Sequence, residues 1–93
     1  MKVDYHHPLA DGSYVRVQID TTEAPNPLHV AHHQAALWGT IRDEAAESFR
    51  RGESYAYHDG RRVHLCRTVA DLAAVTRRER ASWGVEWRED RVH

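Results

Sequence analysis

One short pattern is written twice in this chain, 48 residues apart. Asp11-Gly12 precedes Ser13-Tyr14-Val15-Arg16-Val17-Gln18, and Asp59-Gly60 precedes Arg61-Arg62-Val63-His64-Leu65-Cys66. Asp-Gly between extended runs signals a β-hairpin, because a type I′ turn needs positive φ at both central residues. A helix-like segment follows each copy. The layout predicts two hairpin-plus-helix units.

The first unit reads in detail. Residues 2–6 alternate as a strand. Residues 14–20 form a second strand, with Val15, Val17 and Ile19 on one face and Tyr14, Arg16, Gln18 and Asp20 on the other. Asn26-Pro27 starts a helix: Asn caps free N–H groups, and Pro is tolerated at the first helical position. Leu28, Ala31, Ala35, Trp38, Ala45 and Phe49 then make an apolar stripe, with Ile41 at its edge. Arg50-Arg51-Gly52 stops it. The stripe keeps phase across Gly39, so one long helix is expected, although Thr40 with Asp43 would suit the start of a second.

The second unit spans 54–58 and 62–68 around Asp59-Gly60, with Val63 and Leu65 as its inward pair and Cys66 on the polar side. Thr68 and Asp71 resemble a capping box for a helix carrying Val69, Leu72, Val75 and Thr76, ended by Gly84. Trp83 to Trp87 alternates again, as a fifth short strand or an arm. Residues 88–93 read as a frayed tail. The expected fold is a single α+β domain over 1–93, in the order ββαββα: a four-stranded, mainly antiparallel sheet with two helices on one face. A β-grasp-like ββαββ core plus a C-terminal helix fits the same strings.

Composition narrows the class. At 93 residues, 41% hydrophobic and 29% charged, the chain is of ordinary globular type with room for one core. No apolar run approaches the roughly 18 residues of a membrane span, and Met1 to Tyr5 carries no signal-peptide pattern. The single Cys66 excludes an internal disulfide; together these favour a cytoplasmic setting. Arg outnumbers Lys twelve to one, which codon usage of a high-GC bacterial genome or its mobile elements explains. The net charge of −1 argues against non-specific nucleic-acid binding by the whole chain, but residues 61–93 hold eight basic and five acidic side chains.

Four groups of residues bear on function. His29, His32 and His33 stand at helical i, i+3 and i+4, a spacing zinc sites use, but no Asp, Glu or Cys lies within a turn of them. They read as a polar helix face, with a metal site as the sharper alternative. Arg61, Arg62, Arg77, Arg78 and Arg80 form a basic cluster that would suit phosphates, although the helical angles of the last three are spread. Tyr14, Arg16, Gln18 and His64 share the sheet face expected to be open. Trp83 and Trp87 either close the core or contact another chain, since Trp is favoured at binding hot spots.

No phosphate loop, nucleophile elbow, Cys-x-x-Cys or His-Glu-x-x-His is present in the sequence. The function expected is therefore non-catalytic and cofactor-free: a protein-binding module of accessory, regulatory or inhibitor type. Its contact residues would be Tyr14, Arg16, Gln18, His64, Trp83 and Trp87. A homodimer through the Trp83–Trp87 arm is expected as well. The alternatives are a nucleic-acid-binding regulator and a small histidine-rich metalloprotein or enzyme.

Overall fold

Alternating residues build the first hairpin. In the computed structural model, which describes residues 2–20, 22 and 25–89, β1 (Lys2–Pro8) pairs antiparallel with β2 (Tyr14–Asp20). Val3, Tyr5 and His7 stand opposite Ile19, Val17 and Val15, so one face is apolar. The second partner of β2 is β5 (Val85–Arg88), which sets Val85 opposite Val17 and Trp87 opposite Val15.

Helix α1 (Pro27–Arg50) covers that face and runs unbroken through Gly39. Asn26 caps it by accepting the His29 N–H, as its residue type predicts. Gly39 lies buried against His7 and Leu9; a Cβ there would come within 3.1 Å of the His7 ring, so the missing side chain lets helix and strand close up. Ala31, Ala35 and Trp38 join Leu9, Val15, Val17 and Val85 in the main core.

The far half of α1 packs on the second hairpin, β3 (Tyr55–His58) with β4 (Val63–Cys66), and on α2 (Val69–Ser82). Ala45, Cys66 and Leu72 form a smaller core there. Ile41, Tyr57 and Trp87 touch both cores and join them. Thr68 caps α2 by accepting the Asp71 N–H.

The fold is α+β with two helices and antiparallel sheets, but several expectations need correction. The strands form a three-stranded sheet, β1-β2-β5, and a separate two-stranded one, β3-β4, where a single four-stranded sheet was expected. The stretch around Trp87 supplies the third strand of the first sheet, so of the two expected readings, a fifth short strand or an arm, the strand holds. Neither Asp-Gly turn is type I′: in each the glycine, Gly12 or Gly60, takes positive φ but its non-glycine neighbours do not, since no described residue other than glycine has positive φ. At the first turn Asp11 is a central loop residue closed by Gly12 N–H to Leu9 C=O; at the second Asp59 precedes the turn and donates its N–H to Arg62 C=O. The repeated dipeptide thus occupies two different turn positions.

A further correction is the facing of the ribbon. Cys66 is buried, whereas Val63 and Leu65 point to solvent. Leu28 and Val75, expected in the core, are exposed too. From residue 90 the expected frayed tail lies outside the described residues; Arg88 ends β5, and Glu89 pairs with Arg42.

Candidate functional site

The β3–β4 ribbon is held by its turn. Asp59 Oδ1 accepts the Arg61 and Arg62 N–H groups, at 2.8 and 3.0 Å, and Oδ2 meets His64 Nε2 at 2.7 Å. The His64 contact, aided by the two backbone donors, holds the Asp59 carboxyl far below the usual carboxylate range. One carboxylate therefore shapes the turn and pins a strand residue beside it.

Register sorts the ribbon into two faces. Tyr55 stands opposite Cys66 and Tyr57 opposite His64; these four turn towards the helices. Burial pushes the Tyr55 and Tyr57 hydroxyls and the Cys66 thiol above their ordinary values. Ala56 stands opposite Leu65 and His58 opposite Val63, and this face is open. Leu65 is 72% exposed and Val63 55%. Scattered apolar residues are normal on a surface, but here two exposed aliphatics stand two residues apart on one strand face, with Ala56 across from Leu65 and His58 across from Val63. Among the described residues no third strand pairs with either edge of the ribbon.

The other expected contact residues are dispersed. Tyr14, Arg16 and Gln18 lie on the outer face of the three-stranded sheet, where charges satisfy one another. Arg16 reaches Asp4 through Nε and Nη2 at 3.2 and 2.8 Å, His6 meets the same carboxylate at 3.1 Å, and Gln18 adds a third donor. His64 belongs to the other sheet and its inner side. Trp83, 43% exposed, follows α2 and borders an open cavity of about 470 Å³ with Lys2, Ile19 and Val30. Trp87 is half-buried: it meets Trp38 edge-on at 6.1 Å, donates its indole N–H to the Trp38 carbonyl, and lies under the Arg80 guanidinium at 4.4 Å.

The alternative sites are also divided. Arg61 and Arg62 are exposed at the ribbon turn, and Arg77 and Arg78 are exposed on α2. Arg80 is withdrawn: it is buried, bonded to Thr76 Oγ1 and the Ala73 carbonyl. His29, His32 and His33 are all exposed, and the His32 ring meets Tyr5 at a tilt with centroids 4.3 Å apart. Among the described residues no group of three His, Cys, Asp or Glu side chains is placed to hold a metal ion. No described helix is long and apolar enough to cross a membrane.

Sequence reasoning missed Val63 and Leu65 as surface residues. A signal for them existed. With the register set by the turn, the choice lies between a face with Tyr55, Tyr57, His64 and Cys66 and one with Ala56, His58, Val63 and Leu65. Two tyrosines, each able to bury roughly 150–250 Å², outweigh two aliphatics.

Comparison with family models, with curated proteins and with solved structures finds no match to this chain. A functional reading rests on the geometry alone.

Proposed function

We propose that this chain is a non-catalytic protein-binding module whose contact surface is the outward face of the β3–β4 ribbon. One observation carries the reading: Leu65 and Val63, 72% and 55% exposed, adjoin on a ribbon whose edges no described strand occupies. Apolar surface of this kind is stabilised when a partner covers it. The groups with reactive chemistry give an enzyme little to work with. The Cys66 thiol is buried, with its pKa raised, and His64 is tied to Asp59. The lone, buried cysteine suits a cytoplasmic setting.

The partner we have in mind is a different chain. The arm expected from sequence to carry a dimer is β5, which pairs with β2 inside the subunit, so we place the contact surface on the ribbon instead. The nucleic-acid reading keeps Arg61, Arg62, Arg77 and Arg78 but loses Arg80, and it gives Val63 and Leu65 no role.

The test compares immobilised wild type with a Val63→Ser/Leu65→Ser variant in extract of the native host. The reading expects a defined set of proteins retained in stoichiometric amount by the wild type and lost by the variant. Equal retention by both would contradict it.

A further inference from the structure

The arginines of this chain are unevenly partnered. Arg16, Arg42, Arg50, Arg51 and Arg88 each contact a carboxylate, and Arg80 stacks on Trp87. Arg61, Arg62 and Arg67 make no side-chain ion pair among the described residues, and all three are exposed. They stand at the two ends of β4, on either side of Val63 and Leu65. The acidic groups nearby are already engaged. Asp59 is bound to its own turn and to His64, and Asp71 accepts the Thr68-capped turn's Arg67 N–H. The exposed aliphatic pair of β4 is therefore flanked along the chain by exposed cationic residues on both sides.

Resting on the protein-binding reading above, we infer that this face takes an extended acidic segment of another protein. Aliphatic side chains of the segment cover Val63 and Leu65, and carboxylates flanking them meet Arg61 and Arg62 at one end and Arg67 at the other. An extended segment matches the shape of the surface. It can lie along the ribbon or add to an unoccupied edge, with side chains at alternate positions reaching one face. A helix would present its apolar residues at a different spacing.

The same charge pattern disfavours a second copy of this chain. Antiparallel pairing of two β4 strands about His64 and Leu65 places Arg62 opposite Arg67 of the second copy, and does so twice. Like charges directly opposite one another destabilise strand pairing. Nucleic acid would satisfy the arginines but leave the aliphatic centre against a charged backbone.

The test starts with random peptides displayed on phage, selected in parallel against the intact wild type and the Val63→Ser/Leu65→Ser variant. Wild type is expected to enrich sequences with acidic residues alternating with aliphatic ones, and the variant is expected not to. An enriched peptide, synthesised and labelled, is then titrated by fluorescence polarisation. Arg61→Glu combined with Arg62→Glu should weaken it about tenfold or more, and higher salt should weaken it further. A peptide with Lys in place of its Glu residues should regain binding to that reversed variant. Circular dichroism confirms that each variant is folded.

The failures separate. Enrichment that needs Val63 and Leu65 but lacks acidic residues overturns the acidic segment and leaves the binding face. Enrichment indifferent to Val63 and Leu65, or none at all, overturns both. Labelled DNA or RNA oligonucleotides bound equally by wild type and the Val63→Ser/Leu65→Ser variant would overturn the proposal in favour of nucleic acid. A wild-type dimer seen by light scattering and split by that variant would overturn it in favour of a second copy.

Discussion

Gly84 sits where the turn after α2 touches β2. Its φ is +69°, and an added Cβ would fall on the Gln18 carbonyl oxygen, well inside contact distance. The backbone itself makes this approach, with the Gln18 N–H donating to the Gly84 carbonyl at 3.0 Å. Gly84→Ala therefore carries both left-handed strain and a clash with main chain, which a rotamer change cannot relieve. It should cost at least about 2 kcal/mol in urea unfolding. Gly60→Ala has positive φ but open space around the new methyl, and should cost about 1 kcal/mol. Equal effects at the two sites would contradict the β2–β5 contact. Aspartates set the acid limb of stability. Asp59 is held low by His64 and turn N–H groups, and Asp11 by the Ser13 hydroxyl and N–H with Arg42 beside it. Each folded pKa lies below the ordinary 3.8, so the stability they contribute is present above about pH 4 and lost as pH falls through the folded values. Asp11→Asn and Asp59→Asn should each flatten that loss in unfolding curves taken across acid pH. Unchanged curves would remove these pairings from the account.

Helices and hairpins were legible as elements; their facing was legible only in part. Asn26-Pro27 and Arg50-Arg51-Gly52 bracket α1 because capping chemistry is local, and Thr68 with Asp71 marks α2 for the same reason. The apolar stripe of α1 placed Ala31, Ala35, Trp38 and Ala45 inward, and they are buried. Leu28 lies on the same stripe near the helix start and is exposed, because nothing among the described residues covers that turn closely enough to bury it. The ribbon inverted the reading, since β4 alone offers Val63 and Leu65 against His64 and Cys66, and hydropathy favours the wrong pair. The tyrosines of β3 decide the matter across the strand, and that is a tertiary preference. Mutations should reveal the inversion. Leu65→Ser should stay within about 0.5 kcal/mol of wild type, as exposed sites do. Leu72→Ala, in the small core beside Cys66, should cost about 2–5 kcal/mol through cavity formation. Chemical denaturation of the two variants checks this, and a Leu65→Ser loss as large as that of Leu72→Ala would restore the sequence-based facing.

The whole molecule is where the sequence was least informative. Pairing of β2 with β5 joins residues about 70 positions apart in the chain, and no local signal specifies such a contact. The split into three and two strands follows from it, because β5 takes the edge of β2 that a single sheet would have used. Trp87, touching both cores, then ties the halves together. Arg42 adds a second tie from the middle of α1: it is only 2% exposed and reaches Asp11 in the first turn and Glu89 just after β5. A chain truncated after Ser82 loses β5, Trp87 and Glu89 at once. It should fail to fold, with circular dichroism showing neither native helix nor cooperative melting. A folded truncated chain would show that β5 is dispensable. The candidate site was dispersed by the same long-range pairing: Tyr14, Arg16 and Gln18 share one face as alternation predicts, but His64 and Trp87 are turned into the body, and the ribbon carries exposed Val63 and Leu65 on one face. The binding role of that surface is the central claim, and site-specific photocrosslinking in the native host tests it most directly. A photoreactive amino acid at position 65 should yield a discrete adduct with a different protein, while the same group at position 16, on the opposite sheet, should yield none. An adduct from position 16 and nothing from position 65 would contradict the account.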